Sequence, residues 1–326
     1  MRSGPHHLRV TDLFAGAGLF SAGFLASGFE IVRAVELDGE AVKSYQANVS
    51  PNIVRGSVAD QVPVETDVLI AGPPCQGFST LGRMDPTDAR NSLSLDVVRW
   101  AESSDAKVVV IENVPPFLRS PQWKLLAKRL RARGFEIETW ELNAYDFGAP
   151  QLRRRAFTIA SKVGGIGEPL PTGPGLNVGQ VISDLANLPR SEDPMHTWPI
   201  PVGIAAKRIA LVPPRGDKRD LIRLAPELCP PSWGKMGCQA TDVWGRVDAA
   251  APANTLRCTF QNPSKGRYLH PTQDRTLSLR EGARLQGIPD SWQMSGRGYA
   301  VARQIGNGVP VPLARAVADR VKLALG

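Results

Sequence analysis

LRVTDLFAGAGLFSAGFLASGFEIVRAVE, residues 8 to 36, holds two β-branched, apolar runs separated by a glycine-rich turn and an amphipathic stretch. A strand feeds a tight turn, the turn feeds a helix, and a second strand follows; Gly28 stands where a helix C-terminal cap is expected. The same alternation continues to about Lys162. Strands are predicted at LRVTDLF (8 to 14), EIVRAVE (30 to 36), DVLIAG (67 to 72), KVVVIENV (107 to 114), FEIETWEL (135 to 142) and AFTIAS (156 to 161), with Gly134 as a second helix cap. This predicts an α/β fold: a mostly parallel, doubly wound sheet with helices on both faces and a ligand site at the carboxyl ends of its strands.

The pattern changes after Lys162. GGIGEPLPTGPGLN is dense in glycine and proline, and periodicity stays poor to about Pro271, which predicts a loop-rich second domain over residues 165–270. Helical spacing returns at LSLREGARLQGI (277 to 288) and from Val309 to Leu325. Residues 271–326 are therefore expected to pack back on a first domain of residues 1–164. A chain of 326 residues has room for both lobes. No internal repeat or low-complexity tract is visible.

Basic side chains exceed acidic ones by eight and the isoelectric point is near 9.6, a balance that favours a polyanionic partner. The first residues, MRSGPHHLRVTDLF, lack the apolar run of a signal peptide, and no segment approaches the roughly 18 apolar residues of a membrane span. A soluble, intracellular protein is expected. The four cysteines, Cys75, Cys229, Cys238 and Cys258, form no CxxC pair, so neither a zinc site nor a disulfide framework is expected, and no metal is predicted.

The first strand runs into Asp12-Leu13-Phe14-Ala15-Gly16-Ala17-Gly18, whose glycines permit the close backbone approach that a nucleotide-type ligand needs. A dinucleotide fingerprint would place glycine three positions after Gly18, but Ser21 is there, which disfavours NAD and leaves other adenosine cofactors open. Glu36 closes the second strand, where a carboxylate can accept from both hydroxyls of a ribose. A plain strand-to-helix turn and a solvated strand end are the competing readings. The pairing of the two features favours a cofactor without saying which.

The strand DVLIAG empties into Gly72-Pro73-Pro74-Cys75-Gln76-Gly77-Phe78-Ser79, which sets a thiol at the carboxyl edge on a turn stiffened by two prolines. Core packing explains such a thiol poorly, whereas a nucleophile needs a rigidly aimed, accessible position. One strand later, four apolar residues deliver Glu112 to the same edge. A carboxyl group there is costly unless it is bonded or used, and burial would suit it to acid catalysis; a capped strand end is the alternative. In Gln151-Leu152-Arg153-Arg154-Arg155, alternation places Arg153 and Arg155 on one face, where they could act together. A solvated arginine run is the competing reading.

Together these residues resemble the cytosine-5 DNA methyltransferases, in that family's motif order and over nearly the whole chain. DLFAGAGLFSAGF resembles the first motif, Glu36 the ribose-binding acid, GPPCQGFS the nucleophile loop, ENV the glutamate motif and QLRRR the QxRxR element. LSLREGARLQGIPD resembles the ninth motif and QIGNGVPV the tenth. The resemblance implies the S-adenosylmethionine-dependent methyltransferase fold, with Phe14, Gly16 and Gly18 near the cofactor and Leu37 packing on its adenine. Val58, Pro73, Leu93 and Asn307 fall at further cofactor-lining positions. Where the third motif commonly carries Gly-Asp, this chain has Gly56-Ser57-Val58, so either the Ser57 hydroxyl or Asp60 stands in for the missing acid. The family's target recognition domain would occupy residues 165–270, and PANTL (252 to 256) resembles its short shared element, which makes Thr255 a candidate phosphate contact. Gln76 and Ser79 of the nucleophile loop are the other candidate DNA contacts.

The activity this implies is methylation of cytosine C5 in a specific duplex DNA sequence. Cys75 adds to C6 of a flipped cytosine, Glu112 holds and protonates N3, and Arg153 and Arg155 steady O2 and the carboxylate; S-adenosylhomocysteine is the product. The setting it implies is a bacterial cytoplasm or nucleoid and a monomeric enzyme, either with a cognate restriction endonuclease in the same cell or as a solitary or phage-borne methylase. Two alternatives are the same chemistry on a tRNA cytosine and a catalytically silent DNA-binding homologue. The long recognition region argues against the first, and the joint presence of Cys75, Glu112 and Arg153 against the second.

Overall fold

The computed structural model describes residues 7–74, 93–235 and 241–326. The strands among them are β1 (Arg9–Leu13), β2 (Glu30–Glu36), β3 (Ile53–Arg55), β4 (Val68–Ala71), β5 (Val108–Asn113), β6 (Glu136–Asn143), β7 (Gln151–Leu152), β8 (Arg154–Ser161) and β9 (Ala253–Asn254). Seven form one sheet in the order β3-β2-β1-β4-β5-β8-β6. The first five of that order pair in parallel, and β8 runs antiparallel between β5 and β6. The mostly parallel sheet predicted from sequence is present. The edge strand β3 was not predicted: three residues are too few to show a period.

Helices α1 (Leu19–Ala26), α2 (Gly39–Asn48), α3 (Leu93–Ser103) and α4 (Pro121–Arg131) connect the early strands. The central strands are buried on both faces, so their apolar runs are continuous, and alternate residues serve opposite layers. Val68, Ile70, Val108 and Val110 join Phe20 and Phe24 of α1 in one cluster. Leu69, Val109 and Ile111 join Val97 and Trp100 of α3 and Leu126 and Leu130 of α4 in another. Gly28 and Gly134 both take φ 83°, as expected of helix caps.

The later helices are α5 (Val178–Ile182), α6 (Gly203–Leu211), α7 (Lys218–Leu224), α8 (Pro231–Lys235), α9 (Leu279–Leu285), α10 (Tyr299–Asn307) and α11 (Val311–Leu325). Helix α11 lies along α1: a Cβ on Gly23 would fall 2.4 Å from the Ala314 backbone, so only glycine permits this approach. Leu313, Val317 and Val321 thereby enter the same cluster as Val10 and Phe24. The stretch after Lys162 does not form one block. Val178 and Ile182 of α5 pack with Leu279, Ala283 and Leu285 of α9, whereas Ile209, Val212, Leu221, Trp244 and Leu269 make a separate small core. Buried Arg246 ties that core together by donating to the carbonyls of Val212, Ile209, His270 and Gln273. Among the described residues no helix is long and apolar enough to cross a membrane.

Candidate active site

The chain leaves β1 toward β2 on one side and returns through β4 on the other, which opens a crevice above the carboxyl ends of β1 and β4. The glycine-rich turn forms its rim. Phe14, Gly16 and Gly18 all have positive φ, at 60°, 54° and 93°. At Gly18 the space is closed as well, since a Cβ would sit 2.6 Å from Val49 and 2.8 Å from Tyr45; above Gly16 nothing lies within 4 Å. The turn is thus braced from below and open above.

Glu36, at the end of β2, reaches back across this turn. Its Oε2 accepts from the Gly16 amide at 2.8 Å and its Oε1 from the Asp38 amide at 2.8 Å. Burial pushes its carboxyl up, and the backbone bonds and the Arg303 charge oppose that rise. Leu37 beside it is 69 % exposed, an apolar side chain left bare at the rim. Pro73 is buried where the chain leaves β4, Leu93 opens α3, and Asn307 closes α10 with its side chain exposed. The Ser57 hydroxyl accepts from the Ala59 amide at 3.2 Å and caps a short 3-10 turn over Val58–Asp60. Val58 is buried and Asp60 exposed. An acceptor carboxylate, an open glycine turn and a bare leucine are a donor and contact set that fits an adenosine-type cofactor.

Sequence reasoning missed what lies beneath the turn. Asp12, 1 % exposed, accepts from the Ser21 hydroxyl at 2.6 Å, and Ser21 is 2.7 Å from the Tyr45 hydroxyl. Ser21 occupies the place of the absent third glycine because its hydroxyl has these partners. The available signal was a carboxylate inside an apolar strand. Burial, with a smaller push from Glu36, raises the Asp12 carboxyl to about 8 against the bond from Ser21. In the unfolded chain it ionises near 3.8. Between those values the folded state keeps a proton that the unfolded state has lost, so stability falls as pH rises from about 4 to about 8, by at most about 1.4 kcal/mol per pH unit. Asp12→Asn is expected to remove this part of the slope. Urea midpoints at pH 5 and pH 8 check it, and equal slopes in parent and variant would contradict it.

The second group of predicted residues sits one strand over. Glu112, on β5, is 8 % exposed, and its Oε1 pairs with Arg155 Nε at 2.8 Å. The antiparallel register that sets Glu112 opposite Phe157 brings Arg155, at the start of β8, beside it. A Cβ on Gly72 would lie 3.8 Å from Glu112 Oε2, so the carboxylate borders the segment leaving β4. Asn113 Nδ2 donates to the Pro73 carbonyl at 3.3 Å and ties that segment to β5. Cys75, Gln76 and Ser79 follow directly and lie outside the described residues.

Arg153 departs from its expected partnership. Arg153 is buried between exposed Leu152 and Arg154, as alternation predicts, yet its guanidinium, 1 % exposed, bonds backbone carbonyls and not Glu112, although the charges of Glu112 and Arg155 both reach it. Nη1 donates to Leu256 at 2.7 Å, and Nη2 to Gly306 at 2.8 Å and Gly308 at 3.1 Å. Thr255, next to Leu256, is half-buried and its hydroxyl donates to the Leu152 carbonyl at 2.7 Å. That bond extends the short parallel ladder of β7 and β9. Gln151 closes the junction by bonding Leu256, Leu285 and Gln286. Among the described residues no group of His, Cys, Asp and Glu could hold a metal ion.

The family model for C-5 cytosine-specific DNA methylase matches residues 8–189 and 231–323. The chain is 31 % identical over 335 residues to Type II methyltransferase M1.HphI of Haemophilus parahaemolyticus, covering 96 % of this chain and 86 % of that one. It is 29 % identical over 376 residues to Type II methyltransferase M.DdeI of Desulfomicrobium norvegicum, covering 96 % and 88 %. Among solved structures, the methyltransferase EhMeth of Entamoeba histolytica superposes with a TM-score of 0.67 at 16 % identity, over 99 % of this chain and 100 % of that one. The last likeness concerns the fold alone.

Proposed function

Because the chain belongs to the C-5 cytosine-specific DNA methylases, S-adenosylmethionine-dependent enzymes, we propose that it methylates a flipped-out cytosine in a specific duplex sequence through a Cys75 adduct. The observation that carries this reading is the Glu112–Arg155 pair beside the chain segment that leads into Cys75.

Bound S-adenosylmethionine supplies an electrophilic methyl group on a sulfonium. Glu36 would hold its ribose, Leu37 its adenine, and the open turn at Phe14, Gly16 and Gly18 its methionine part, with Val58, Pro73, Leu93 and Asn307 around them. Either Ser57 or Asp60 would accept from the adenine amino group; the cap bond from the Ala59 amide uses one lone pair of the Ser57 oxygen and leaves the other to accept. Cytosine C5 is a weak nucleophile until the ring is activated. The Cys75 thiolate adds to C6 and electron density moves to C5. Glu112 protonates N3 as that density develops, and Arg155, already bonded to the carboxylate, orients it and steadies O2. Loss of the C5 proton to solvent, return of the N3 proton to Glu112 and departure of the Cys75 thiolate restore the aromatic ring. Extruding the base costs a few kcal/mol, which phosphate contacts by a basic surface offset. Gln76, Ser79 and Thr255 are the proposed DNA contacts nearest the base.

Glu36→Ala is expected to weaken S-adenosylmethionine binding by about 1.5 to 3 kcal/mol for each charged hydrogen bond lost. An unchanged dissociation constant by calorimetry would take Glu36 out of the cofactor site. We assign residues 1–164 and 271–326 to catalysis and residues 165–270 to target recognition. The proposed acid, its arginine and the cofactor contacts lie outside the latter window, and its irregular loops suit the reading of base edges. Exchanging this window for a relative's is expected to change the methylated sequence and keep the chemistry. An active chimera that kept its original target would overturn the assignment. The monomeric state and a restriction endonuclease sharing the target remain parts of this reading. Bisulfite sequencing of DNA from bacteria expressing the chain tests the whole: one methylated motif is expected, and uniformly convertible DNA from cells making folded protein would refute it.

A further inference from the structure

Arg153 joins three parts of the chain that are far apart in sequence. Its backbone is fixed to the first lobe, where its amide donates to Asn143 Oδ1 at 3.0 Å and its carbonyl accepts from the Ala144 amide at 2.9 Å. Its guanidinium then spans Leu256, which follows Thr255, and the two carbonyls of Gly306 and Gly308 that flank Asn307. No carboxylate stands within ion-pair distance of it among the described residues, and its Nε has no partner there. The two segments also touch directly, since a Cβ on Gly306 would fall 2.4 Å from the backbone of Arg257 and Cys258. A buried cation whose hydrogen bonds among the described residues all go to carbonyls is expensive to disturb, because any shift of one segment leaves a charged donor unpaired.

We propose that Arg153 is a positioning residue that links cofactor binding to DNA binding, by holding the segment of Asn307 in register with the segment of Thr255. This rests on the methyltransferase reading above, in which Asn307 meets the cofactor and Thr255 a phosphate. Neither segment moves without the other. A ligand that orders one therefore prepares the other, and the effect is reciprocal. Arg155 acts on the reacting base through Glu112, whereas Arg153 acts through the two segments and touches no substrate. Lysine would keep the charge, but its compact ammonium lacks the planar fork that spans both.

The test measures duplex affinity with and without S-adenosylhomocysteine, using the sequence that bisulfite mapping identifies. In the parent protein the product cofactor is expected to tighten duplex binding by about 5-fold or more. In Arg153→Lys the factor is expected to fall toward one, with the KM values for both substrates raised. Arg155→Lys is expected to keep the factor and lose kcat. Asn143→Ala, which loosens the Arg153 backbone without removing its guanidinium, supplies an independent arm if Arg153→Lys fails to fold, and should show a reduced factor. A parent without coupling, or folded Arg153→Lys or Asn143→Ala proteins with the full factor, would overturn the proposal. A parent that does not methylate DNA would instead refute the reading on which it rests.

Discussion

Cys75→Ser is expected to abolish methyl transfer while leaving duplex and cofactor binding nearly unchanged. A thiol ionises near pH 8.5 and its thiolate is a soft, strong nucleophile, whereas a serine hydroxyl needs a dedicated base to be comparably reactive. Glu112 is committed to Arg155, so no such base stands ready at this edge among the described residues. The substitution changes one atom, at a position that follows the paired prolines 73 and 74. Transfer of a labelled methyl group to DNA checks the effect. Turnover above about 1 % of the parent rate would exclude Cys75 as the nucleophile.

Glu112→Gln is the second large effect, an expected loss of about 10²- to 10⁴-fold in single-turnover rate. Glutamine keeps the shape and can still accept from Arg155 Nε, so the 2.8 Å contact survives and the fold should persist. What it cannot do is give N3 a proton as charge builds on the ring. The loss should therefore fall on the chemical step, with duplex affinity altered little. A rate within about threefold of the parent at saturating substrates would remove Glu112 from proton transfer and leave it a merely structural partner of Arg155.

The parts of this molecule that sequence made legible are those governed by period and local chemistry. Continuous apolar runs at Val68–Ala71 and Val108–Ile111 announced central strands, and Gly28 and Gly134 announced helix ends. Strand direction was not legible, because alternation is the same either way, and the antiparallel placement of β8 is what brings Arg155 to Glu112. Alternation likewise put Arg153 and Arg155 on one side without saying where two long, flexible side chains end. Asp12 was hidden for a related reason. Its carboxyl lies within a strand whose neighbours are apolar, and its partner Ser21, with Tyr45 bonded behind it, brings in two different helices. Only the packed fold shows that serine is needed where a dinucleotide site would have glycine.

The lengthwise contact between α1 and α11 has a consequence in time. During translation at roughly 5 to 20 residues per second, α1 is made about 15 to 60 s before α11. Throughout that interval Phe20, Phe24 and the outer faces of β1 and β4 lack the cover that Leu313, Val317 and Val321 later give them. The central sheet is thus covered by a helix that leaves the ribosome long after the strands it packs on. A nascent chain stalled before Val311 would present an uncovered apolar face, a natural target for chaperones and proteases, and nonsense codons far downstream of every proposed catalytic residue should still deprive the cell of the enzyme.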